Sequence, residues 1–374
     1  MATNKNSEKR IFITGGGTGG HIYPALAIAK EIREQNFAKV FYLGKKNSLE
    51  QKIAHENNFD FLSYDIFGMP RKLSFNFIKW FIKLQMATFK ALFYCYKYKP
   101  QAIFGTGGYA SAPTLLAAQI ANIPYIIHDC DANPGIVSRY CSKSAVAVSL
   151  AFAEAKDKMQ NKNIFINGNP LRKEFSLISK DEARNKLKLE NKLTLMIMGG
   201  SQGAKAINDK VLPILKNLLN NDIQIIFQTG VKNYNAVINQ LEEIFPEYDD
   251  YPNLIIEPYF DEMVYPLKAA DVVISRAGSL SISEICACSL ASILIPYPYA
   301  AQNHQLKNAL SLEKSGAALC IEEKDLTSEI LQEKVLSLKA SEEFLSEMQK
   351  KAFENSHLGA TNSILNLIKR IFNE

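Results

Sequence analysis

Twice in this chain an apolar run meets a cluster of glycines and then a helical pattern. The first case is ITGGGTGGHIYPALAIAKEI, residues 13–32, and the second is LTLMIMGGSQGAKAIN, residues 193–208. A strand that turns through glycines into a helix opens a parallel βαβ unit. Apolar segments at 40–43, 102–104, 125–127 and 145–148 follow the first turn, with helical patterns between them. Segments at 223–227, 254–257, 271–275 and 292–295 follow the second. The alternation predicts an α/β protein of two Rossmann-like domains. At 374 residues, each domain is long enough to bury its own core. The strand pattern stops near INGNPLRKEF, where Asn169 and Pro170 break the chain. Domains are therefore expected at 1–167 and 168–357, with a terminal helix at 358–374 packing back on the first.

Bulk properties exclude several classes. A net charge of +5 gives no ground for nucleic-acid binding. The six cysteines form no CxxC pair, as expected of reduced thiols in a cytosolic protein. The polar start MATNKNSEKR is not a secretory signal, and no uncharged apolar run reaches the length of a membrane span.

Glycines admit a phosphate close to backbone N–H groups, and the following helix adds partial positive charge. A single glycine turn can be tight packing alone; two of them, opening two domains, point to anion or nucleotide binding. A dinucleotide site also needs an acidic residue about 20 positions later, for the ribose. Here the second strand ends FYLGKKNS, without an acid, so NAD is disfavoured. Lys45 and Lys46 leave NADP as a weak alternative. A third turn, FGTGGYASAP, brings Gly107, Gly108 and Tyr109 to the carboxyl end of another first-domain strand. Two anion-friendly loops near one point suit a phosphate-bearing second substrate.

In the second domain, ADVVISRAGSLSISEICA spaces Ser281 and Glu284 as in a capping box. The spacing favours that cap, and Glu284 at the strand's carboxyl end is the alternative acceptor for ribose hydroxyls. Further on, IPYPYAAQNHQLKNA gathers Gln302, Asn303, His304 and Gln305, neutral groups suited to sugar hydroxyls or to an exposed loop.

TGGGTGGHIYPALA, GTGGYASAP, GNPLR, GGSQGAKAIN, SRAGSLSISE and HQLKNA resemble, in that order, the motifs of the MurG family of bacterial N-acetylglucosaminyltransferases. The resemblance covers nearly the whole chain. It implies the glycosyltransferase-B fold, two Rossmann-like domains facing across a cleft, and UDP-N-acetylglucosamine (UDP-GlcNAc) as donor. It implies a lipid-linked muramyl-pentapeptide acceptor, work at the cytoplasmic face of the bacterial inner membrane, and other cell-wall enzymes as possible partners. By the resemblance, Thr18, Gly19 and Gly20 line the donor's sugar-phosphate end, while Arg172 and Ser201 meet the diphosphate. Phe260 stands where the backbone reads uracil. Ser279, Leu280, Ser281, Ile282, Ser283 and Glu284 surround the nucleoside, with Glu284 on the ribose, and His304 and Gln305 contact the N-acetylglucosamine. The family reads His-Glu-Gln-Asn where this chain has His128, Asp129, Cys130 and Asp131, so an aspartate replaces a substrate-binding asparagine. Asp129 and Asp131 also spell the Asp-x-Asp of metal-dependent transferases, but no partner cluster accompanies them. Neither a metal nor a cofactor is expected.

Transfer with inversion needs one base and stabilisation of departing UDP. His21 is the expected base, since an imidazole near the positive end of a helix stays neutral close to pH 7. Capping of the turn is its plainer role. Residues 72–99 contain no glycine or proline. On a helix, Lys72, Lys79, Lys83, Lys90 and Lys97 align, with Trp80, Phe77, Phe81, Leu84 and Phe89 over much of the remaining surface. Such a segment is either a core helix with a solvated stripe or an element that meets an anionic membrane surface. The alternatives are another UDP-sugar transferase, a UDP-GlcNAc epimerase of the same fold, or a non-catalytic nucleotide-binding protein.

Overall fold

The computed structural model describes residues 8–70, 72, 74–200 and 202–373. The chain divides into two compact units, Met1–Leu171 with Gly359–Glu374, and Arg172–Leu358. The first unit carries β1 (Arg10–Thr14), β2 (Lys39–Lys45), β3 (Asp60–Tyr64), β4 (Ala102–Gly105), β5 (Tyr125–Asp129), β6 (Ala147–Leu150) and β7 (Ile164–Ile166). They form one sheet in the order β3-β2-β1-β4-β5-β6-β7, and every pairing is parallel. The second unit carries β8 (Thr194–Met198), β9 (Gln224–Gln228), β10 (Leu254–Glu257), β11 (Val272–Ser275), β12 (Ala291–Leu294) and β13 (Ala318–Cys320). Their order is β10-β9-β8-β11-β12-β13, again all parallel.

Parallel strands covered on both faces become unbroken apolar runs. Ile11 and Ile13 of β1 pack with Ile22, Leu26 and Ala29 of the helix Gly19–Glu34 on one face. Phe12 packs on the other, with Ala87, Ala91 and Leu115. The terminal helix Ala360–Ile371 inserts Ile364, Leu365 and Ile368 beside Ile11 and Ile13. In each sheet the strand order reverses once, between β1 and β4 and between β8 and β11, and ligands gather at such reversals. The glycine-rich turns follow β1, β4 and β8, at the carboxyl ends beside these points.

Three strands, β3, β7 and β13, were not among the expected apolar segments. All three are edges or short, with partly exposed side chains, so their apolar signal is weak. The capping-box reading is also corrected. The helix Ser279–Ala287 begins two residues before Ser281, with Gly278 at its N-cap, so Ser281 lies inside the helix. Among the described residues, no helix is long and apolar enough to cross a membrane.

Candidate active site

In the first unit, Thr18 occupies the N-cap of the helix Gly19–Glu34 but makes no capping hydrogen bond to its backbone. Its Oγ1 lies instead 2.9 Å from His21 Nδ1. The first N–H groups of the helix therefore lack the usual side-chain cap, as at anion-binding helix ends. The imidazole rests on the second glycine turn: a Cβ on Gly107 would stand 3.3 Å from His21 Cδ2. Gly107 has φ +85° and Gly108 φ +76°, the left-handed region, and a Cβ on Gly108 would also collide with the Gly16 carbonyl. Thr106 ties the two turns together, its hydroxyl donating to the His21 carbonyl at 2.6 Å. The half-buried Tyr109 lays its ring against Gly17. The first turn, His21 and the second turn thus form one surface.

The carboxyl end of β5 adds a third loop. His128 is fully buried between Ser149 Oγ and Asn169 Oδ1, each 3.0 Å away. Burial lowers its pKa to about 4, so it is neutral at pH 7. The sequence pointed to Asp131; the buried carboxylate is Asp129. It accepts the N–H groups of Asp131 at 3.1 Å and Gly135 at 3.2 Å, pinning the loop that presents Asp131. Burial, then the nearby charge of Asp131, raises the Asp129 pKa to about 7. Asp131 itself is half-buried.

In the second unit, Arg172 and Glu284 come together, with Arg172 Nη2 at 3.9 Å from Glu284 Oε1. Burial lifts the Glu284 pKa to about 7 against the opposing pull of Arg172. Ser279 and Ile282 are buried, whereas Leu280, Ser281 and Ser283 are half-buried. Gln228 at the end of β9 links the expected Phe260 to the glycine loop after β8: its Oε1 accepts the Phe260 N–H at 3.1 Å and its Nε2 donates to the Gly200 carbonyl. Ser201 lies outside the described residues. Gln305 Oε1 accepts the Tyr297 N–H at 2.9 Å. His304 Nδ1 donates to the Ala301 carbonyl at 2.7 Å, which leaves Nε2 as an acceptor in the neutral ring.

Two residues passed over in the sequence have a supporting place here. Arg276 Nη1 donates to the Ile295 and Pro296 carbonyls, and its guanidinium pairs with Glu323 and lies over the Tyr297 ring. Asn308 Nδ2 donates to the Ala277 carbonyl at 3.3 Å. Only their position within SRAG and HQLKNA flags them in the sequence. Among the described residues, no group of three or more His, Cys, Asp or Glu side chains is placed to hold a metal ion.

The helix Phe75–Tyr98 buries Ala87, Thr88, Ala91 and Cys95. Phe75, Ile78, Ile82, Met86, Phe89, Phe93 and Tyr96 are exposed, Phe75 at 80% and Phe89 at 68%. At 3.6 residues per turn these seven span an arc of about 80°, opposite the buried face and about 30 Å long. Lys79 and Lys90 are exposed and lie together along one edge of this stripe, while Lys83 pairs with Asp65. Lys72 precedes the helix, and Trp80 is half-buried against Phe77.

Residues 11–149 match the glycosyltransferase family 28 N-terminal domain, and residues 194–367 match the family 28 C-terminal domain. A protein of Halothermothrix orenii is 38% identical over 372 residues, covering 96% of this chain and 98% of its own. One from Caldanaerobacter subterraneus subsp. tengcongensis is 38% identical over 365 residues, covering 97% and 100%. Both are named UDP-N-acetylglucosamine–N-acetylmuramyl-(pentapeptide) pyrophosphoryl-undecaprenol N-acetylglucosamine transferase. The crystal structure of Acinetobacter baumannii MurG superposes with a TM-score of 0.77 at 29% identity, covering 97% of this chain and 99% of that one.

Proposed function

The chain belongs to glycosyltransferase family 28 and, within it, to the family of these muramyl-pentapeptide transferases, and from that premise we propose how its residues serve the reaction. It transfers N-acetylglucosamine from UDP-GlcNAc to the 4-hydroxyl of undecaprenyl-pyrophosphoryl-muramyl-pentapeptide. The observation that carries the site reading is the surface built by the two glycine turns around His21.

His21 Nε2 takes the proton of the muramyl hydroxyl as its oxygen attacks the anomeric carbon from the face opposite UDP. The C–O bond to UDP breaks with inversion, and the electron pair leaves on the diphosphate. For Nε2 to accept, Nδ1 must carry the ring proton and donate to Thr18 Oγ1, a role the 2.9 Å separation suits. Arg172 and the glycine loop after β8 offset the charge developing on UDP. The carboxylate of Glu284 accepts from the ribose diol. The Phe260 N–H is already held by Gln228, so the uracil contact falls to the Phe260 carbonyl. Asp131, Gly107, Gly108 and Tyr109 face the acceptor.

An undecaprenyl chain does not leave the bilayer, so its enzyme must work at the membrane surface. The outward apolar stripe of the helix Phe75–Tyr98, edged on one side by Lys79 and Lys90, has the composition of an interfacial element on anionic lipid. The chain thus acts as a peripheral protein on the cytoplasmic face of the inner membrane.

Labelled UDP-GlcNAc and a short-chain muramyl-pentapeptide lipid, incubated with EDTA, test this reading. Acceptor-dependent product that is lost in His21→Ala is expected. Product independent of acceptor, or unchanged in His21→Ala, would overturn it.

A further inference from the structure

Gly16 in the first turn and Gly44 on β2 lie in different elements, yet both leave room for one side chain. A Cβ on Gly44 would meet Glu50 Cγ at 2.9 Å, and one on Gly16 would meet Glu50 Cδ and Oε1 at 2.7 Å. Glu50 stands in the first turn of the helix Leu49–Glu56 and is 2% exposed. Its Oε1 accepts the Lys45 N–H at 3.2 Å, so the side chain folds back over the end of β2 with its head under the glycine turn. Burying a carboxylate is costly where an apolar side chain of similar size would fill the space. Filling space is therefore a poor reason for this residue.

The same turn is held from behind at two further points. Tyr42, 1% exposed, donates its hydroxyl to the Gly15 carbonyl at 2.7 Å. Burial, and next the charge of Glu50, pushes that phenol well above its usual pKa, which keeps it a donor. Thr106 donates to the His21 carbonyl at 2.6 Å. Gly15, Gly16 and His21 are thus each met by a buried polar group, Tyr42 from β2, Glu50 from the helix Leu49–Glu56 and Thr106 from the second glycine turn.

We infer that Glu50 is a positioning residue: with Tyr42, and acting through Gly15 and Gly16, it fixes where the turn stands and so where the His21 imidazole meets the acceptor hydroxyl. This rests on the transfer reaction proposed above. Glu50 touches neither substrate, so its loss acts on turnover while uridine recognition in the second unit is untouched.

The test compares Glu50→Ala, Glu50→Gln and Tyr42→Phe with the parent for kcat, both KM values and the Kd of UDP. A misplaced reacting group costs up to about 100-fold, so kcat should fall about 100-fold in Glu50→Ala and about 10-fold in Tyr42→Phe. Glu50→Gln, which keeps the shape and an acceptor oxygen for Lys45, should return kcat to within about threefold of the parent, with UDP Kd unchanged in all three. Turnover at the parent level in both Glu50→Ala and Tyr42→Phe would overturn the inference, as would a matching loss of UDP binding. Should Glu50→Ala not fold, Tyr42→Phe decides. Hydrogen exchange of residues 15–21 reads the same positioning without catalysis and should quicken in Tyr42→Phe. If the parent transfers nothing, the proposed reaction fails, and unchanged exchange is what refutes the positioning.

Discussion

Replacing Glu284 with glutamine should make the protein more stable and bind its donor less well. Glu284 has 16% of its side chain exposed, and burial raises its pKa from 4.5 to about 7 despite Arg172 at 3.9 Å. The folded state therefore holds this proton more tightly than the unfolded chain between those two values. Stability is lost as pH rises through the window, and the loss is complete above it. At 1.36 kcal/mol per pKa unit, the parent forgoes about 2 kcal/mol at pH 6 and at most about 3 kcal/mol at pH 8. Glutamine has no proton to lose. Glu284→Gln should match the parent near pH 4.5 and gain with pH, reaching roughly 5 to 10 °C in Tm at pH 8 for a unit of this size. Donor binding should move oppositely. An ionised carboxylate accepting from the ribose diol makes charge-assisted hydrogen bonds worth about 1.5–3 kcal/mol, so UDP affinity should drop about 10- to 100-fold. Parent affinity should also rise with pH through about 7, a dependence absent from the variant. Thermal unfolding and calorimetric UDP titration between pH 4.5 and 8 read both effects. A stability difference that does not change with pH would refute the reasoning, as would UDP affinity equal in both proteins.

His21→Ala should reduce kcat by about 100-fold or more, the scale of a lost general base, with UDP Kd unchanged by titration. Lys79→Glu with Lys90→Glu should weaken sedimentation with anionic vesicles by about 1 kcal/mol or more per site. Activity on a short-chain acceptor in detergent-free solution should be spared, and unchanged vesicle binding would return the lysines to a solvated face. Asp271→Ala should destabilise the second unit by about 3 kcal/mol in denaturant unfolding, since it takes the carboxylate from the guanidinium of Arg184, 9% exposed and 2.8 Å away, and leaves that charge only neutral acceptors. It also removes the acceptor of the Thr194 N–H.

Much of the architecture is legible because the central strands are buried on both faces. Residues 11–13 and 195–197 read as apolar runs, and the glycines after them mark the turns whatever the distant packing. The edges are less legible, since β7 and β13 have three residues each and partly exposed side chains. Ser281 and Glu284 show how spacing misleads: the capping-box pattern is present, but Gly278 starts the helix earlier. Glu50 shows the opposite failure. It reads as an unremarked acid in a surface helix, and only the pairing of β1 with β2 brings it under Gly16. Asp129 differs again: the sequence shows it only as part of an Asp-x-Asp pattern, and its role in accepting backbone N–H groups of its own loop is visible only in the structure. The residues proposed to touch ligands sit in motifs; the residues that hold those motifs in place are found by the fold.

The most direct test of the account is the structure of the product formed from UDP-GlcNAc and a short-chain undecaprenyl-type muramyl-pentapeptide lipid. Proton NMR of the purified product should show one new glycosidic bond on the muramyl 4-oxygen, with β configuration at the transferred sugar and one UDP released per bond. An α linkage, a sugar on another oxygen, or UDP released without any disaccharide would contradict it.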